Sequence, residues 1–143
     1  MKTVKEVMTK EPATVTLQDN VYEVAVKMRD YDTGFIPVVD NEEHKTLLGV
    51  ITDRDLVIRG YAAKHPGSTS VETVMSKEIQ AVSENTSVDE AAELMAGWQI
   101  RRLAVTRDQK LVGVVSIGDL AVRDIFADEA GEALHDISQQ HLH

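Results

Sequence analysis

The stretch GVITDRDL at residues 49–56 recurs as GVVSIGDL at residues 113–120. Both copies end an apolar run with a small hydroxyl residue that precedes an aspartate by three positions. The likeness extends upstream, because residues 4–56 and 71–120 repeat one another. An internal repeat predicts two similar units that pack on each other. The paired hydroxyl and carboxylate residues are Thr52 and Asp55 in the first copy, and Ser116 and Asp119 in the second.

Each copy carries signals for the same order of elements, β-α-β-β-α. A short extended stretch comes first, and a capping box then starts a helix. Two apolar strands follow, separated by a polar turn, and a second helix starts directly after them. The extended stretches lie around Val15 and Val82, and the capping boxes are Asn20-x-x-Glu23 and Ser87-x-x-Glu90. The predicted strands span 35–39 and 47–52 in the first repeat, and 103–106 and 111–116 in the second. The second helices start after Thr52 and after Ser116.

These patterns divide the chain into four segments. The first repeat spans residues 1–63, a linker with Pro66 and Gly67 spans 64–70, the second repeat spans 71–125, and a helical tail spans 126–143. A repeat of about 50 residues buries too little surface to be stable alone, so we expect the repeats to share one core. The tail has apolar residues on one helical face, which fits either packing on its own domain or a dimer contact.

Composition excludes several classes of protein. The chain has no cysteine, so it has no disulfide framework and no thiolate metal site. The N-terminus lacks the apolar core of a signal peptide, and the apolar runs are far too short to span a membrane. A net charge of −9 argues against a general nucleic-acid binder but allows a local basic pocket. We therefore expect a cytoplasmic protein without nucleic-acid or membrane partners.

The hydroxyl-x-x-Asp pattern has two interpretations. The first is purely structural, because such a pair at a helix start satisfies free N–H groups as a capping motif. The second is functional. A strand that ends at a cleft and opens a helix presents N–H groups to an anion, and a neighbouring aspartate can accept hydrogen bonds from both hydroxyls of a ribose. Two such patterns in register favour the functional interpretation more than one would.

The chain resembles a pair of CBS domains, also called a Bateman module, over residues 1–125. The resemblance rests on the VxxVM openings at 4–8 and 71–75, the FIPVVD stretch at 35–40, and the two G-x-x-[ST]-x-x-D motifs. The short chain is similar to bacterial stand-alone CBS-pair proteins. The resemblance implies an α/β fold in which two β-α-β-β-α repeats pack sheet to sheet with pseudo-twofold symmetry. It also implies two clefts that bind adenine nucleotides, and a homodimer.

The resemblance further implies the composition of the two sites. In the family, each cleft takes its ribose-binding residues from one repeat and much of its base wall from the other. One site then uses Val114, Ser116 and Asp119 with Ala13, Thr33 and Gly34, and the other uses Val50, Thr52 and Asp55 with Gln80, Ile100 and Arg101.

Charge distinguishes these sites. Arg101 and Arg102 stand where family members place phosphate-binding basic residues, so we expect the site of Ser116 and Asp119 to bind better. A solvated surface pair is the alternative interpretation of the two arginines. The other site has Arg54 as its phosphate partner, and the bulky Gln80 and Ile100 line it. Phe35 replaces a basic residue common in the family, which puts double occupancy in question.

The expected function is a non-catalytic regulatory module. It would bind AMP, ADP, ATP or S-adenosylmethionine and modulate its self-association or an unknown regulated protein. The alternative is a constitutive dimerisation or scaffold module whose clefts are vestigial. No nucleophile–base arrangement predicts an enzyme, since His44 and His65 lack evident partners. We expect no metal site, because the tail histidines His135, His141 and His143 lie too near the terminus to be held rigidly.

Overall fold

The structure is a computed structural model that describes residues 2–121 of the 143-residue chain. The predicted tail at 126–143, with its three histidines, lies outside the described residues. The fold is the predicted mixture of helices and two sheets. The chain divides into two compact units, each with its own buried core, so the expectation of one shared core is wrong. The first-repeat unit contains residues 12–79 and 109–111, and the second-repeat unit contains residues 2–11, 80–108 and 112–121.

The described elements follow the predicted order in each repeat. A 3₁₀ helix, Val4–Glu6, opens the chain, and a π-helical stretch, Leu56–Tyr61, continues α2. The strands are β1 Thr9–Lys10, β2 Val15–Thr16, β3 Phe35–Val39, β4 Leu47–Thr52, β5 Ala81–Ser83, β6 Arg102–Arg107 and β7 Lys110–Ser116, and the α-helices are α1 Val21–Tyr31, α2 Asp53–Asp55, α3 Val71–Val74, α4 Val88–Trp98 and α5 Ile117–Ala121.

Each unit is built on its own sheet. In the first-repeat unit the strand order is β2-β3-β4, with β2 parallel and β4 antiparallel to β3. In the second-repeat unit the order is β1-β7-β6-β5, with β5 parallel to β6 and β1 antiparallel to β7, although Lys110 and Leu111 at the start of β7 are assigned to the first-repeat unit. None of the helices within residues 2–121 has the length and apolar character that a membrane crossing requires.

The two long helices begin at the predicted capping residues. The Asn20 side chain accepts a hydrogen bond from Glu23 N (2.9 Å), and the Glu23 carboxylate accepts one from Asn20 N (3.3 Å). Ser87 Oγ accepts from Glu90 N (3.1 Å) at the start of α4. These bonds satisfy N–H groups that a helix start leaves without an intrahelical partner.

The opening segments are residues 4–10 in the first repeat and residues 71–77 in the second. Each of them contributes core residues to the unit that contains the other repeat. Val4 and Val7 belong to the core of the second-repeat unit, whereas Val71 and Val74 belong to the core of the first-repeat unit. The compact units therefore cross the boundaries of the sequence repeats. The internal repeat shows which residues occupy equivalent positions in the two copies, but it does not show which of the two cores each residue joins.

Polar contacts fix the N-terminal opening segment within its unit. Val4 N donates to Thr86 O (2.9 Å), and Lys5 N donates to Glu84 O (3.2 Å). The Glu84 side chain is only 8% exposed, and its carboxylate lies 3.6 Å from both Lys5 Nζ and Arg107 Nε. A carboxylate buried this deeply is tolerated because two cations flank it.

Two glycines allow the opening segments to approach the sheets. A Cβ atom on Gly113 would lie 2.5 Å from Met8 Sδ and 2.7 Å from the carbonyl oxygen of Thr9. A Cβ atom on Gly49 would collide with the carbonyl oxygen of Ser76, whose backbone bridges to Val50. The glycine of the repeated G-x-x-[ST]-x-x-D motif thus serves strand packing in both copies.

We predict that Gly113→Ala destabilises the protein by about 1–3 kcal/mol, because the added methyl group must displace β1 from β7. Urea unfolding followed by circular dichroism measures the change. Gly49→Ala should behave in the same way in the first-repeat unit.

Gly97→Ala is the matched control. Gly97 lies on α4 with no neighbour within 4 Å of its missing Cβ atom, so alanine there should stabilise by about 0.5–1 kcal/mol. A Gly113→Ala variant as stable as Gly97→Ala would contradict the close approach of β1.

Candidate functional site

The predicted hydroxyl and aspartate of each motif hydrogen-bond reciprocally. In the first-repeat unit, Thr52 Oγ1 accepts from Asp55 N (3.1 Å), and Asp55 Oδ2 accepts from Thr52 N (2.9 Å). In the second-repeat unit, Ser116 Oγ accepts from Asp119 N (3.1 Å), and Asp119 Oδ2 accepts from Ser116 N (2.8 Å). The structural interpretation of the motif is therefore correct, since each pair forms a capping box between a strand and a helix.

The capping hydrogen bonds leave acceptor positions unused on the carboxylates of both Asp55 and Asp119. A carboxylate has two oxygens with several acceptor positions, and each cap uses a single oxygen. Asp55 and Asp119 are half-buried, so part of each side chain is accessible. The other oxygen of Asp55, Oδ1, lies 3.9 Å from Arg59 Nε, and an Arg59 guanidinium nitrogen also donates to Met75 O (3.2 Å). The caps therefore hold both aspartates in a fixed orientation.

In each unit, the turn that precedes β3 or β6 is hydrogen-bonded to the helix start that follows the capping hydroxyl. Asp53 N donates to Gly34 O (2.9 Å), and Ile117 N donates to Arg101 O (2.8 Å). The two bonds are equivalent, because positions 34 and 101, and positions 53 and 117, match in the repeat. Each unit thus assembles a half-site, defined as Thr33, Gly34, Thr52, Asp53, Arg54 and Asp55 in the first-repeat unit, and Ile100, Arg101, Arg102, Ser116, Ile117 and Asp119 in the second.

The preceding helix ends in the same way in both half-sites. Asp32 ends α1 with a φ of 50°, and Gln99 ends α4 with a φ of 58°. Such left-handed residues reverse the chain after a helix. Thr33 N then donates to Met28 O (3.0 Å), while Ile100 N donates to Met95 O (3.0 Å). The two turns therefore follow one backbone path with different side chains.

Thr33 and Gly34 lie in the same unit as Thr52 and Asp55, although the prediction assigned them to the site of Ser116. Ile100 and Arg101 likewise share a unit with Ser116 and Asp119, although the prediction assigned them to the site of Thr52. The contribution that each site takes from the other repeat stays a prediction.

The remaining predicted residues occupy sheet edges and strands. Ala13 and Gln80 are half-buried and precede the parallel strands β2 and β5. Val50 and Val114 are half-buried on β4 and β7, where Val50 bridges to Ser76 and Val114 pairs with Thr9. Their predicted contact with a ligand is an expectation that rests on the resemblance.

The half-sites differ in charge. Arg101 and Arg102 are exposed in the second-repeat half-site, and Ile117 beside them is buried. In the first-repeat half-site the positions of Arg101 and Ile117 are taken by Gly34 and the exposed Asp53.

The prediction missed Asp53. Its carboxylate covers Gly34 and accepts from Arg54 N (2.8 Å). The mismatch between Asp53 and Ile117 was visible in the repeat, but its contact with Gly34 was not. Phe35, which begins β3, is half-buried and hydrogen-bonds through its backbone to Thr33 Oγ1 (3.2 Å).

Within residues 2–121, no cluster of three or more histidine, cysteine, aspartate or glutamate side chains could hold a metal ion. The predicted absence of a metal site in the tail concerns residues outside that range.

The chain is similar to known proteins along most of its length. It is 48% identical over 139 residues to protein YlbB of Bacillus subtilis (strain 168), covering 97% of this chain and 93% of YlbB. It is 42% identical over 143 residues to the CBS domain-containing protein YhcV of the same strain, covering all of both chains.

Solved structures share the fold. The crystal structure of CBSX2 in complex with AMP matches with a TM-score of 0.76 and 25% identity, covering 90% of this chain and 99% of CBSX2. The CBS domain pair of protein MJ0100, in complex with 5′-methylthioadenosine and S-adenosyl-L-methionine, matches with a TM-score of 0.73 and 25% identity, covering 90% and 98%. A family model described as CBS domain matches residues 4–60 and 71–124. The chain therefore belongs to the CBS-domain family, of which it carries two tandem copies.

Proposed function

We propose that this chain is a non-catalytic cytoplasmic regulatory module that binds an adenosyl nucleotide. The observation that carries the proposal is the junction in the second-repeat half-site, where the Ser116–Asp119 cap meets the backbone of Arg101. The half-buried Asp119 carboxylate thus belongs to a helix start that is hydrogen-bonded to the backbone of Arg101, and the side chains of Arg101 and Arg102 are exposed. A nucleotide needs both features, because its ribose donates hydrogen bonds and its phosphates carry negative charge.

Each residue has a distinct role in the proposal. Asp119 accepts hydrogen bonds from the ribose hydroxyls, and Ser116 contacts the ribose or the first phosphate. Arg101 and Arg102 bind the phosphates, because a guanidinium stays charged and presents a planar fork to two oxygens. Asp55 and Thr52, with Arg54, provide the equivalent groups of a second site.

The ligand class follows from the same residues. AMP, ADP, ATP and S-adenosylmethionine all present a ribose to the aspartate. The complexes of CBSX2 with AMP and of MJ0100 with 5′-methylthioadenosine and S-adenosyl-L-methionine support this class. Binding would stabilise the folded chain and modulate either a homodimer or a regulated protein partner.

We predict that Asp119→Asn weakens nucleotide binding by about tenfold while the fold is retained, because it removes a charged hydrogen-bond acceptor. An asparagine oxygen can still accept from Ser116 N, so the cap is kept. Isothermal titration calorimetry with AMP, ADP, ATP and S-adenosylmethionine measures the loss. Thermal unfolding provides a second readout, since a ligand at 100 times its Kd adds about 2.7 kcal/mol of stability.

Asp108→Asn serves as the control for this variant, because Asp108 is exposed in the turn between β6 and β7. Asp55→Asn reports on the other half-site. Unchanged affinity in both Asp119→Asn and Asp55→Asn would contradict a ribose-binding role for the aspartates.

An exposed apolar patch favours a second candidate function, a constitutive dimerisation module. Val57, Ile58 and Tyr61 lie within the π-helical stretch after α2 and are 57%, 54% and 85% exposed. Contiguous apolar side chains on a surface mark sites of protein association. A second copy of the chain would cover them, and the clefts would then be vestigial.

We predict that the double variant Ile58→Lys, Tyr61→Lys lowers dimer affinity by at least about tenfold, because burying the patch would then bury two charges. Sedimentation velocity measures the effect with and without nucleotide. Tyr22→Lys is the control, since Tyr22 is 65% exposed on α1. A dimer that responds to nucleotide would instead favour the regulatory function.

A further inference from the structure

We propose that Asp53 sets the ligand class of the first-repeat half-site. That half-site takes an adenosyl ligand whose 5′ group is cationic, such as a sulfonium, in preference to a phosphate. The second-repeat half-site takes the phosphate-bearing ligands. This inference rests on the proposed function and assigns the two half-sites different ligands.

The two copies are comparable because they share one backbone geometry. Position 53 donates to the carbonyl of position 34 at 2.9 Å, and position 117 donates to the carbonyl of position 101 at 2.8 Å. The same capping box follows each donor. Differences between the half-sites therefore come from side chains.

The Asp53 carboxylate occupies the space that corresponds to the Cβ atom of Arg101 in the other copy. A Cβ atom built on Gly34 would lie 2.6 Å from Asp53 Oδ2 and 2.9 Å from Asp53 Cγ. In the second copy that Cβ belongs to Arg101, and the residue that matches Asp53 is the buried, uncharged Ile117. The first copy thus has a carboxylate next to the backbone position at which the second copy carries an arginine.

Asp53 is held in this place. Its Oδ1 accepts a hydrogen bond from Arg54 N (2.8 Å), while its own N–H donates to Gly34 O. The side chain therefore projects over Gly34 instead of extending freely. Glycine is required at position 34 for this arrangement, since a Cβ atom would displace the carboxylate.

The half-sites differ in the charge beside the matched turn, because the first has the Asp53 carboxylate there and the second has Arg101. In the first-repeat half-site Arg54 is a cation, and the Asp55 carboxylate lies 3.9 Å from Arg59. The second-repeat half-site has Arg101 and Arg102 and the single carboxylate Asp119. The Asp53 carboxylate repels a phosphate and the guanidinium groups of Arg101 and Arg102 attract one, whereas a sulfonium experiences the reverse. Like-charge contact is an effective means of rejecting one ligand while retaining another.

The test compares AMP with S-adenosylmethionine on Asp53→Asn. The background is Asp119→Asn, which weakens the second-repeat half-site. Asparagine keeps the shape and the acceptor for Arg54 N, but it removes the charge. We expect the ratio of AMP affinity to S-adenosylmethionine affinity to rise about fivefold or more, and the rise to shrink at high salt. 5′-Methylthioadenosine, which is uncharged at that position, should bind with unchanged affinity.

Asp53→Ile and Ile117→Asp complete the design. Asp53→Ile introduces the side chain of the second-repeat half-site and should raise the ratio of AMP affinity to S-adenosylmethionine affinity further. It also serves as the test variant if Asp53→Asn unfolds. Ile117→Asp, made in an Asp55→Asn background, should lower the AMP affinity of the other half-site. Calorimetry reports each affinity, and thermal unfolding verifies each fold.

The outcomes separate the two proposals. An unchanged affinity ratio in Asp53 variants that still bind both ligands would overturn the role of Asp53 and leave the proposed function intact. Absence of binding of all three ligands to the wild-type protein would overturn both.

Discussion

The burial of four valines from the opening segments is the constraint on which the rest of the structure depends. Val4 and Val7 complete one core, and Val71 and Val74 complete the other. Three of them are fully excluded from solvent, so each removes apolar surface from water at a gain of about 1.5–3 kcal/mol. Because these valines come from the other repeat, neither repeat carries a complete core within its own stretch of sequence.

The two interpretations of the hydroxyl-x-x-Asp motif are compatible. The hydrogen bonds that start the helix also restrict the aspartate to one orientation, because they use one carboxylate oxygen and the hydroxyl. A site needs such restriction, since a preorganised acceptor loses little conformational entropy when a ligand binds. The cap is thus a structural element and a support for the proposed binding group. The side chains around it, above all those of Asp53 and Arg101, then distinguish the two copies.

Much of the fold was predictable because its signals are local. The capping residues Asn20 and Ser87 located both long helices, although only Asn20 forms the full reciprocal box, and alternating apolar residues located the long strands. β6 is longer than predicted by one residue at each end, and β7 by one residue at its start, where fraying makes boundaries uncertain in any sequence.

The exchange of the opening segments was not predictable, because a repeat pattern contains no information on which core a segment joins. The π-helical continuation of α2 had no sequence signal either. In the candidate site, the capping pairs followed from spacing alone. The contact between Asp53 and Gly34 did not, because it depends on how a turn and a helix start meet in space.

The exchange also sets an order of events during synthesis. The segment with Val71 and Val74 leaves the ribosome directly after the strands it must join, so the first-repeat core can close through contacts near in sequence. The segment with Val4 and Val7 emerges first, but its partner β7 emerges near the end of the described chain. Pairings this distant along the chain are the slow ones in folding. Lys5, Glu6 and Lys10, which lie near these valines in the sequence, are exposed and charged, and such residues keep an apolar segment solvated before its partner strand is available.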